Sequence, residues 1–567
     1  MENSLSKNNR ARKLTLGFWI LAIVLGFFHS WADHHDIPNP DGLSYLDIAN
    51  AYVRGDWQTA INSYWSPLYS WLIALAFRLI RPSAYWEFSV VRLVNFAIYI
   101  FALACFSFLI GQLRQFNDNI ADDLERTKLV SLPDWAWPAL GYPVFIWSSL
   151  YVTPIAMVTP DLLVGAFVFL AAALLLQIRR RRHVVVSFIL LGATLGFGYL
   201  AKSVMFPLAF VFLGVSLFSV GNLWKGFQRV LVAFGVFVLI AGPFIFAISR
   251  AKGRMTFGES GRLTHSWNVA GISNIHSKGP LTHPPRRIFD NPPIYEFGEP
   301  ISGTYPLWYD PSYWNEGLAS PPNPRAQIEA IVKNLSVYYE LLFTNVHYGL
   351  LIVFFTLYLV SGRRWMLVPD LARYSDLIIF VLVALGGYAV VSVNKRYVEA
   401  FLVLMWLVLF SGLRLSDTAA SKRLMTYAIS VLMVMMTLTV VGSSAAEAYL
   451  ATRNLIAGED VSTHPHWQVA EGLHQMGVEP GDKVAVVGDS FGAFWAHLAG
   501  LKIVADVTFG DAELFWRTDA SQRARAIDAL AKTEAKAIVA DRPKLSAEDS
   551  GSWRKIDDTE YYVYMLK

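Results

Sequence analysis

Long apolar runs alternate with short polar connections along most of the chain. An α-helix needs about 20 consecutive apolar residues to cross a bilayer, and about eleven runs approach that length. This pattern predicts a polytopic α-helical membrane protein. The runs cover residues 14–31, 88–110, 136–153, 161–178, 184–200, 204–220, 230–249, 346–361, 376–393, 398–413 and 424–442.

The segment 65–80 is also apolar but is interrupted by arginines, so its placement decides the topology. If it lies in the membrane interface, the basic cluster at 179–182 falls on the same side as the basic N-terminus, as the excess of Lys and Arg in cytoplasmic loops requires. We therefore expect an interfacial helix at 65–80 and a multi-pass protein of a bacterial inner membrane. Its N-terminus would be cytoplasmic, and the segments 32–87 and 250–345 would be outer loops.

The chain changes character after residue 443. Short strand-like segments, such as Lys483–Gly488 and Ala537–Ala540, alternate there with helical segments. Such alternation is typical of an α/β domain with a mainly parallel sheet. We therefore divide the chain into a transmembrane domain, residues 1–443, and a small periplasmic α/β domain, residues 444–567.

Composition supports the membrane assignment and narrows the choice of partners. The chain is 54% hydrophobic and only 16% charged, with a net charge of +4. The basic residues gather in short clusters between apolar runs, which indicates topology signals rather than a nucleic-acid surface. We expect membrane lipid as a partner and no nucleic acid. The lone Cys105 excludes an intrachain disulfide.

Asp41 is the first candidate for chemistry. It follows the first apolar run and precedes Gly42 and an amphipathic aromatic segment. A carboxylate at a partly dry interface is suited to act as a general base, because burial raises its proton affinity. The alternative is a turn residue that caps the helix beginning near Leu43. The adjacent His34 and His35 lack a spaced partner motif, so the sequence predicts no metal-ligand set.

Further charged residues lie at the same predicted outer face. Lys202 and Arg396 occupy outer turns against the usual charge bias, and Arg92 stands at the outer start of its span. Cations in these positions either bind an anion, for which Arg is well suited, or anchor helix ends by snorkelling. Asp161 opens a helix there. It either stabilises that helix N-terminus or joins Asp41 in one outer cavity.

The order of several short motifs resembles that of the GT-C glycosyltransferases, of the protein O-mannosyltransferase and aminoarabinose-transferase type. The resemblance covers most of the membrane part, through about residue 413. The motifs are Asp41-Gly-Leu-Ser-Tyr45, Gly55-Asp-Trp57, Ser66-Pro67-Leu-Tyr69-Ser-Trp-Leu72, Arg92-Leu, Thr159-Pro-Asp161, Ala201-Lys202 and Lys395-Arg396-Tyr397.

The resemblance implies a GT-C-like fold and the transfer of a sugar from a polyprenyl-phosphate donor to an acceptor on the outer face. It implies no certain cofactor. Where the family often carries a second acid, this chain has Gly42. The resemblance therefore leaves open whether the protein binds a divalent metal ion. The implied roles are catalytic for Asp41 and Asp161, donor-phosphate binding for Lys202, Arg396 and Arg92, and substrate binding for Tyr45, Tyr69 and Tyr397.

Two other classes of function compete with the enzyme. A transporter or flippase for a lipid-linked or anionic substrate would also carry charges at one face, although it typically shows inverted repeats, which are not evident here. A sensor or scaffold would use the C-terminal domain but would leave the charged set unexplained. Aromatic residues of the long outer loop, such as Trp308 and Trp314, either stack on sugars or form an interfacial belt. The sequence leaves the acceptor open among glycan, lipid and protein.

Overall fold

The computed structural model of the protein describes residues 2–566 except 33, 127–128, 275, 277–278, 362–365, 457–464 and 544–551. The N-terminal half is almost entirely helical. Its elements are α1 Glu2–Trp31, α2 Asp41–Arg54, α3 Trp57–Ala60, α4 Pro67–Ile80, α5 Glu87–Arg126, β1 Leu129–Val130, α6 Ala136–Trp147, which continues as a π-helical turn Ser148–Val152, α7 Asp161–Arg179, α8 Val184–Ala201, α9 Met205–Phe218 and α10 Leu223–Lys252.

The middle of the chain contains the long loop 250–345 and a second group of helices. The loop holds a hairpin and several helices. The elements are α11 Ser260–Asn268, β2 Arg286–Asp290, β3 Pro293–Glu296, α12 Pro306–Tyr309, α13 Pro311–Trp314, α14 Pro324–Leu342, α15 Asn345–Val360, α16 Leu367–Leu371, α17 Ser375–Val391, α18 Lys395–Ser411, β4 Leu415–Ser416 and α19 Ala419–Ile456.

The polytopic membrane fold is confirmed. Among the described residues, seven helices are long and apolar enough to cross a membrane, or eight if the bent pair 324–342 and 346–360 forms one span. Each of the seven coincides with a predicted apolar run. The other predicted runs are helical too, but α6, α9, α15 and α18 have only 12, 14, 16 and 17 residues. The expectation of about eleven spans therefore exceeds the number of helices of full spanning length.

The C-terminal part forms a seven-stranded sheet with helices on it, as predicted, but the sheet is not mainly parallel. Its order is β2-β3-β6-β5-β7-β9-β8. Only β6, β5 and β7 run parallel, because the hairpin from the long loop adds antiparallel strands at one edge and the chain end adds them at the other. The elements are α20 Pro465–Gln475, β5 Lys483–Gly488, α21 Phe494–Leu498, β6 Lys502–Thr508, α22 Phe509–Arg517, α23 Ala520–Ala531, β7 Ala537–Asp541, β8 Arg554–Lys555 and β9 Tyr561–Met565.

Helices α8 and α10 approach each other closely in the membrane part. Small residues permit such contact, which replaces the hydrophobic driving force that is absent between helices in lipid. A Cβ atom at Gly192 of α8 would overlap the backbone carbonyl of Ala233 on α10. At Gly196, one turn later, a Cβ atom would lie 2.9 Å from the Cβ of Ile240. The two glycines therefore set the distance between these helices.

Replacing Gly192 with alanine is expected to destabilise the protein by about 1–3 kcal/mol, the usual cost of overpacking a close contact. The obstacle is main chain, so a rotamer change cannot relieve it. Thermal unfolding in detergent measures the effect. The matched control is Gly235→Ala on α10, where no atom lies within 4 Å of the added carbon. Equal melting temperatures for the two variants would show that the α8–α10 contact is not close.

Candidate active site

Two acidic residues begin two neighbouring helices. Asp41 is the first residue of α2 and Asp161 the first of α7, positions where the helix N-terminus favours a negative charge. The side chain of Asn39 joins the loops that precede these two helices. Its Nδ2 donates to the backbone carbonyl of Val158 at 3.3 Å, and its Oδ1 accepts from the N–H of Val158 at 2.8 Å. This paired contact brings the starts of α2 and α7 side by side.

Gly42 has no room for a side chain. A Cβ atom there would lie 2.8 Å from Ile37 Cγ2 and 3.0 Å from Val158 Cβ. The packing of the two loops therefore excludes the second acid that the resembled family often carries at this point. The close approach that places Asp41 beside Asp161 requires glycine at position 42.

Arg396 bridges the two acids. Its Nη2 donates to Asp41 Oδ2 at 2.7 Å, and its Nε lies 3.3 Å from Asp161 Oδ2. Arg396 sits in the first turn of α18, where the side chain of Asn394 caps the helix by accepting from the N–H of Arg396. The planar guanidinium suits this double contact, because its donors are fixed in a fork.

Lys202 completes the cluster of four charges. Its Nζ donates to Asp161 Oδ1 at 2.5 Å and lies 3.5 Å from the ring centroid of Tyr397. The Tyr397 hydroxyl in turn accepts from Arg396 Nη2 at 3.3 Å. The side chain of Asp161 is 3% exposed, whereas that of Asp41 is 20% exposed. Asp161 is thus the more buried acid, and Asp41 is the more accessible one.

The four charges lie at one end of a cavity of about 680 Å³. The polar end also contains Tyr45 and Tyr397. The opposite wall is apolar and comes from the facing sides of α9 and α17. Its residues are Pro207, Leu208, Val211, Val383, Ala384, Gly387 and Val391. The cavity therefore joins a charged cluster to an apolar wall built by two helices of the membrane part.

A second charged group at this cavity was missed by the sequence reasoning. Arg254 and Arg262 line the cavity, and the buried carboxylate of Glu259 holds both, at 2.6 Å and 2.8 Å. Burial raises the pKa of Glu259, but contacts with Arg262, Thr256 and Arg254 outweigh it and lower the pKa below its usual value. Glu259 thus stays ionised. The available signal was an acid and a base three residues apart, Glu259 and Arg262, in the loop that follows the apolar run 230–249.

The three predicted substrate-binding tyrosines do not all lie at the cavity. Tyr45 and Tyr397 line the cavity, but Tyr69 does not. Its hydroxyl donates to Asn95 Oδ1 at 2.6 Å and so joins α4 to α5. Burial, and then the charges of Asp41 and Asp161, raises the pKa of Tyr45 well above its usual value. Tyr45 therefore offers a neutral hydroxyl to a ligand.

Arg92 lies apart from the other predicted phosphate contacts. It is buried in α5, its Nη2 donates to the backbone carbonyl of Asp36 at 2.7 Å, and it is not part of the cavity lining. Its placement fits a role in holding the first outer loop against α5. Of the predicted cations, only Lys202 and Arg396 meet at the charged cluster.

The charged cluster does not have the donor set of a metal site. Within the described part of the chain, no group of three or more His, Cys, Asp or Glu side chains is arranged to hold a metal ion. Asp41 and Asp161 both face cations instead. A divalent ion would have to compete with Arg396 and Lys202 for the same carboxylate oxygens.

The aromatic residues of the long loop are neither an interfacial belt nor an open sugar platform. Trp308 and Trp314 are buried within the protein. Trp308 packs against Trp65 and Phe491, with ring centroids 5.6 Å and 5.0 Å away. Trp308 therefore joins the segment 32–87, the long loop and the C-terminal domain.

The fold is that of the GT-C membrane glycosyltransferases, as the motif order suggested. ArnT from Cupriavidus metallidurans, an aminoarabinose transferase, matches with a TM-score of 0.52 and 13% identity in its apo state, over 98% of both chains. The same protein bound to undecaprenyl phosphate matches with a TM-score of 0.53 and 11% identity over the same shares. The apo oligosaccharyltransferase of Archaeoglobus fulgidus matches with a TM-score of 0.51 and 11% identity, over 93% of this chain and 69% of that one.

No family model and no curated protein matches the sequence. At these identities the structural likeness establishes the shared fold.

Proposed function

We propose that the protein is a membrane glycosyltransferase that moves a sugar from a polyprenyl-phosphate donor to an acceptor at the outer face of the membrane. The observation that carries this proposal is the single cavity in which Asp41, Asp161, Lys202 and Arg396 meet an apolar wall. The donor has the matching chemistry, because it joins a charged phosphate to a long apolar chain. The likeness to an ArnT structure bound to undecaprenyl phosphate supports the same class of donor.

The reaction would form a bond between the acceptor and the anomeric carbon and break the bond from that carbon to the phosphate oxygen. Asp41 is the more exposed of the two carboxylates that line the cavity. We therefore propose that it accepts the proton of the acceptor group or orients that group. The leaving phosphate gains negative charge, and fixed cations around it lower the barrier. Lys202 and Arg396 are suited to this role.

The two charged groups of the cavity differ in net charge. In the first group, the two acids Asp41 and Asp161 offset the two cations Lys202 and Arg396. In the second group, the single acid Glu259 offsets only one of the two arginines Arg254 and Arg262. The excess positive charge therefore lies with Arg254 and Arg262, and we assign these arginines to the donor phosphate together with the cations of the first group.

The proposed orientation has the cavity at the outer face, the N-terminus in the cytoplasm and the C-terminal domain in the periplasm of a bacterial inner membrane. Helix α7 supports it. The helix starts at Asp161 in the cavity and ends at Arg179, beside the basic cluster 179–182. The excess of Lys and Arg at cytoplasmic ends of spans favours this direction.

The transporter alternative receives no support from the comparisons, since ArnT and the oligosaccharyltransferase are both glycosyltransferases. A glycan, a lipid or a protein hydroxyl would each need access to Asp41 from the outer side.

Binding of undecaprenyl phosphate to the protein in nanodiscs tests the donor class. Gly387 and Gly386 are neighbours on α17, both with open space at the Cβ position, but only Gly387 lines the cavity. Leucine at 387 would add a large apolar side chain to the cavity lining, starting from a Cβ that meets no atom within 4 Å. We expect the lipid to raise the melting temperature of the wild type, and Gly387→Leu to weaken its binding by about tenfold or more, as loss of apolar burial implies.

Gly386→Leu is the matched control and is expected to bind like the wild type. Undecaprenol, which lacks the phosphate, is expected to stabilise the protein much less. If undecaprenyl phosphate leaves the melting temperature unchanged, the donor class is wrong. If both leucine variants lose binding equally, the lipid does not occupy the wall between α9 and α17.

A further inference from the structure

A buried histidine of the C-terminal domain contacts two acids of the transmembrane part. His497 lies in α21, and its side chain is 3% exposed. Its Nδ1 lies 2.6 Å from Asp47 Oδ1 and its Nε2 2.8 Å from Glu87 Oε1. Since carboxylates only accept, both ring nitrogens must donate, which makes the ring an imidazolium. Burial lowers the pKa of His497, but Glu87 and Asp47 outweigh it and raise the pKa to about 10.

The two acids connect further segments to the same ring. Asp47 on α2 also accepts from the N–H and the hydroxyl of Thr304 in the long loop, at 2.7 Å and 2.9 Å. Glu87, the first residue of α5, also accepts from Asn50 of α2 at 3.0 Å. One imidazolium therefore joins the C-terminal domain, α2 and α5 directly and the long loop through Asp47.

Helix α2 transmits this contact to the charged cluster. Asp41 is its first residue and Asp47 lies six positions later, a rise of about 9 Å along the axis. Residues 42–49 are all buried, so the helix is packed against the rest of the protein along most of its length. The hydroxyl of Ser44 also donates to the carbonyl of Trp308 at 2.8 Å, which ties the same helix to the long loop.

A simple docking contact would not require this arrangement. The junction already has an apolar contact, since Phe88 and Phe494 meet with ring centroids 5.7 Å apart. Placing the buried Asp47 and His497 together with the largely buried Glu87 at this junction adds a desolvation penalty that an apolar contact avoids. Buried ionic groups restrict geometry, because each donor needs its acceptor in a fixed place. The ionic contact is therefore suited to fix the position of α2.

We propose that His497 is a positioning residue: through Asp47 and Glu87, the C-terminal domain holds α2 so that Asp41 stays in register with Arg396. The identity of the reaction rests on the proposed function, but the contact itself does not. The proposal gives the C-terminal domain a role in the active site without any substrate contact of its own.

Hydrogen exchange of the full-length protein in nanodiscs, without substrate, tests the contact. We compare His497→Gln with the control His474→Gln, a histidine of the same domain whose Nδ1 lies 2.8 Å from the backbone carbonyl oxygen of Val478. Glutamine cannot bridge both acids. We expect the α2 amides to exchange about tenfold faster or more in His497→Gln, while α7 and α18 stay unchanged. The control should match the wild type.

Transfer kinetics provide the functional measurement. A small displacement of a catalytic group costs up to about 100-fold in rate. We expect kcat to fall by about 10- to 100-fold in His497→Gln, with KM for the lipid donor within about twofold, because the phosphate-binding cations lie on other elements. Glu87→Gln keeps an acceptor but removes one charge, and should show a smaller change in the same direction.

Faster exchange confined to α20 and the C-terminal sheet, with α2 and kcat unchanged, would mean that His497 merely attaches the domain, and it would overturn the proposal. If His497→Gln does not fold, Glu87→Gln decides between the same outcomes. If the wild type transfers no sugar, the proposed function fails, and the exchange of α2 still tests the positioning role separately.

Discussion

Replacing Asp41 with asparagine is expected to slow sugar transfer by about 100- to 10,000-fold, the range that a positioned general base contributes. Asparagine has the same shape, and its carbonyl can still accept from Arg396, so the cluster should keep its geometry. What is lost is the ability to take a proton. Single-turnover rates of sugar transfer from a polyprenyl-phosphate sugar, with the protein in nanodiscs, measure the effect on the chemical step.

The matched control is Asp56→Asn, which removes a carboxylate from the same outer loop. Asp56 caps α3 and does not line the catalytic cavity, so transfer should change by less than about twofold. Unchanged binding of undecaprenyl phosphate by Asp41→Asn would show that the variant is folded. A rate within about threefold of the wild type would remove Asp41 from the base role.

Replacing Arg396 with alanine is expected to lower kcat/KM by about 1,000-fold or more. Arg396 donates a hydrogen bond to Asp41 and forms an ion pair with Asp161. Removing even one well-placed donor to a developing charge costs about 100- to 1,000-fold. The variant also leaves Asp41 and Asp161 with Lys202 as the remaining cation of the cluster. Arg396→Lys keeps the charge but not the fork of donors, so we expect it to recover less than a tenth of the lost activity.

Lys395→Ala is the matched control, because it removes an exposed cation from the same helical turn, outside the cavity lining. It should transfer sugar at the wild-type rate. Equal losses in Lys395→Ala and Arg396→Ala would indicate a general effect of positive charge at this end of α18. Full activity in Arg396→Lys would show that the double contact is not required.

The parts of the fold that local patterns encode were predictable. A membrane span requires a long apolar run, so the run itself reveals the helix. The meeting of Asp41, Asp161, Lys202 and Arg396 followed from a simple constraint. Each was predicted at the same end of the bundle, and the ends of packed helices lie close together. The shorter helices, such as α6 and α18, were predicted as runs but not as short ones.

Contacts between distant segments were not predictable from the sequence. The hairpin β2–β3 extends the C-terminal sheet, with Tyr295 opposite Asp506, and nothing local marks a loop strand as the partner of a strand so far along the chain. The same holds for His497, whose two acids precede it by hundreds of residues. The sequence around Arg254 and Arg262 is typical of a solvent-exposed loop, and only the fold places these arginines at the cavity.

Motif resemblance also mixes two kinds of residue. Arg92 and Tyr69 belong to motifs that the chain shares with the resembled family, yet their polar groups hold Asp36 and Asn95. A residue that supports a helix and a residue that lines the cavity look alike in a short motif. The side-chain contacts separate them.

The guanidinium shared by two carboxylates has a consequence for the timing of the proposed reaction. Before a donor enters, Arg396 Nη2 donates to Asp41 Oδ2, so one of the oxygens that could accept a proton is already hydrogen-bonded. The phosphodiester of the donor carries one negative charge, and the leaving phosphate gains a second as its bond to the sugar breaks, so it attracts the Nη2 donor most strongly during transfer. Arg396 would then shift its hydrogen bond from Asp41 to the leaving group and free the carboxylate oxygen. The shared contact would thereby couple the release of Asp41 to the departure of the phosphate.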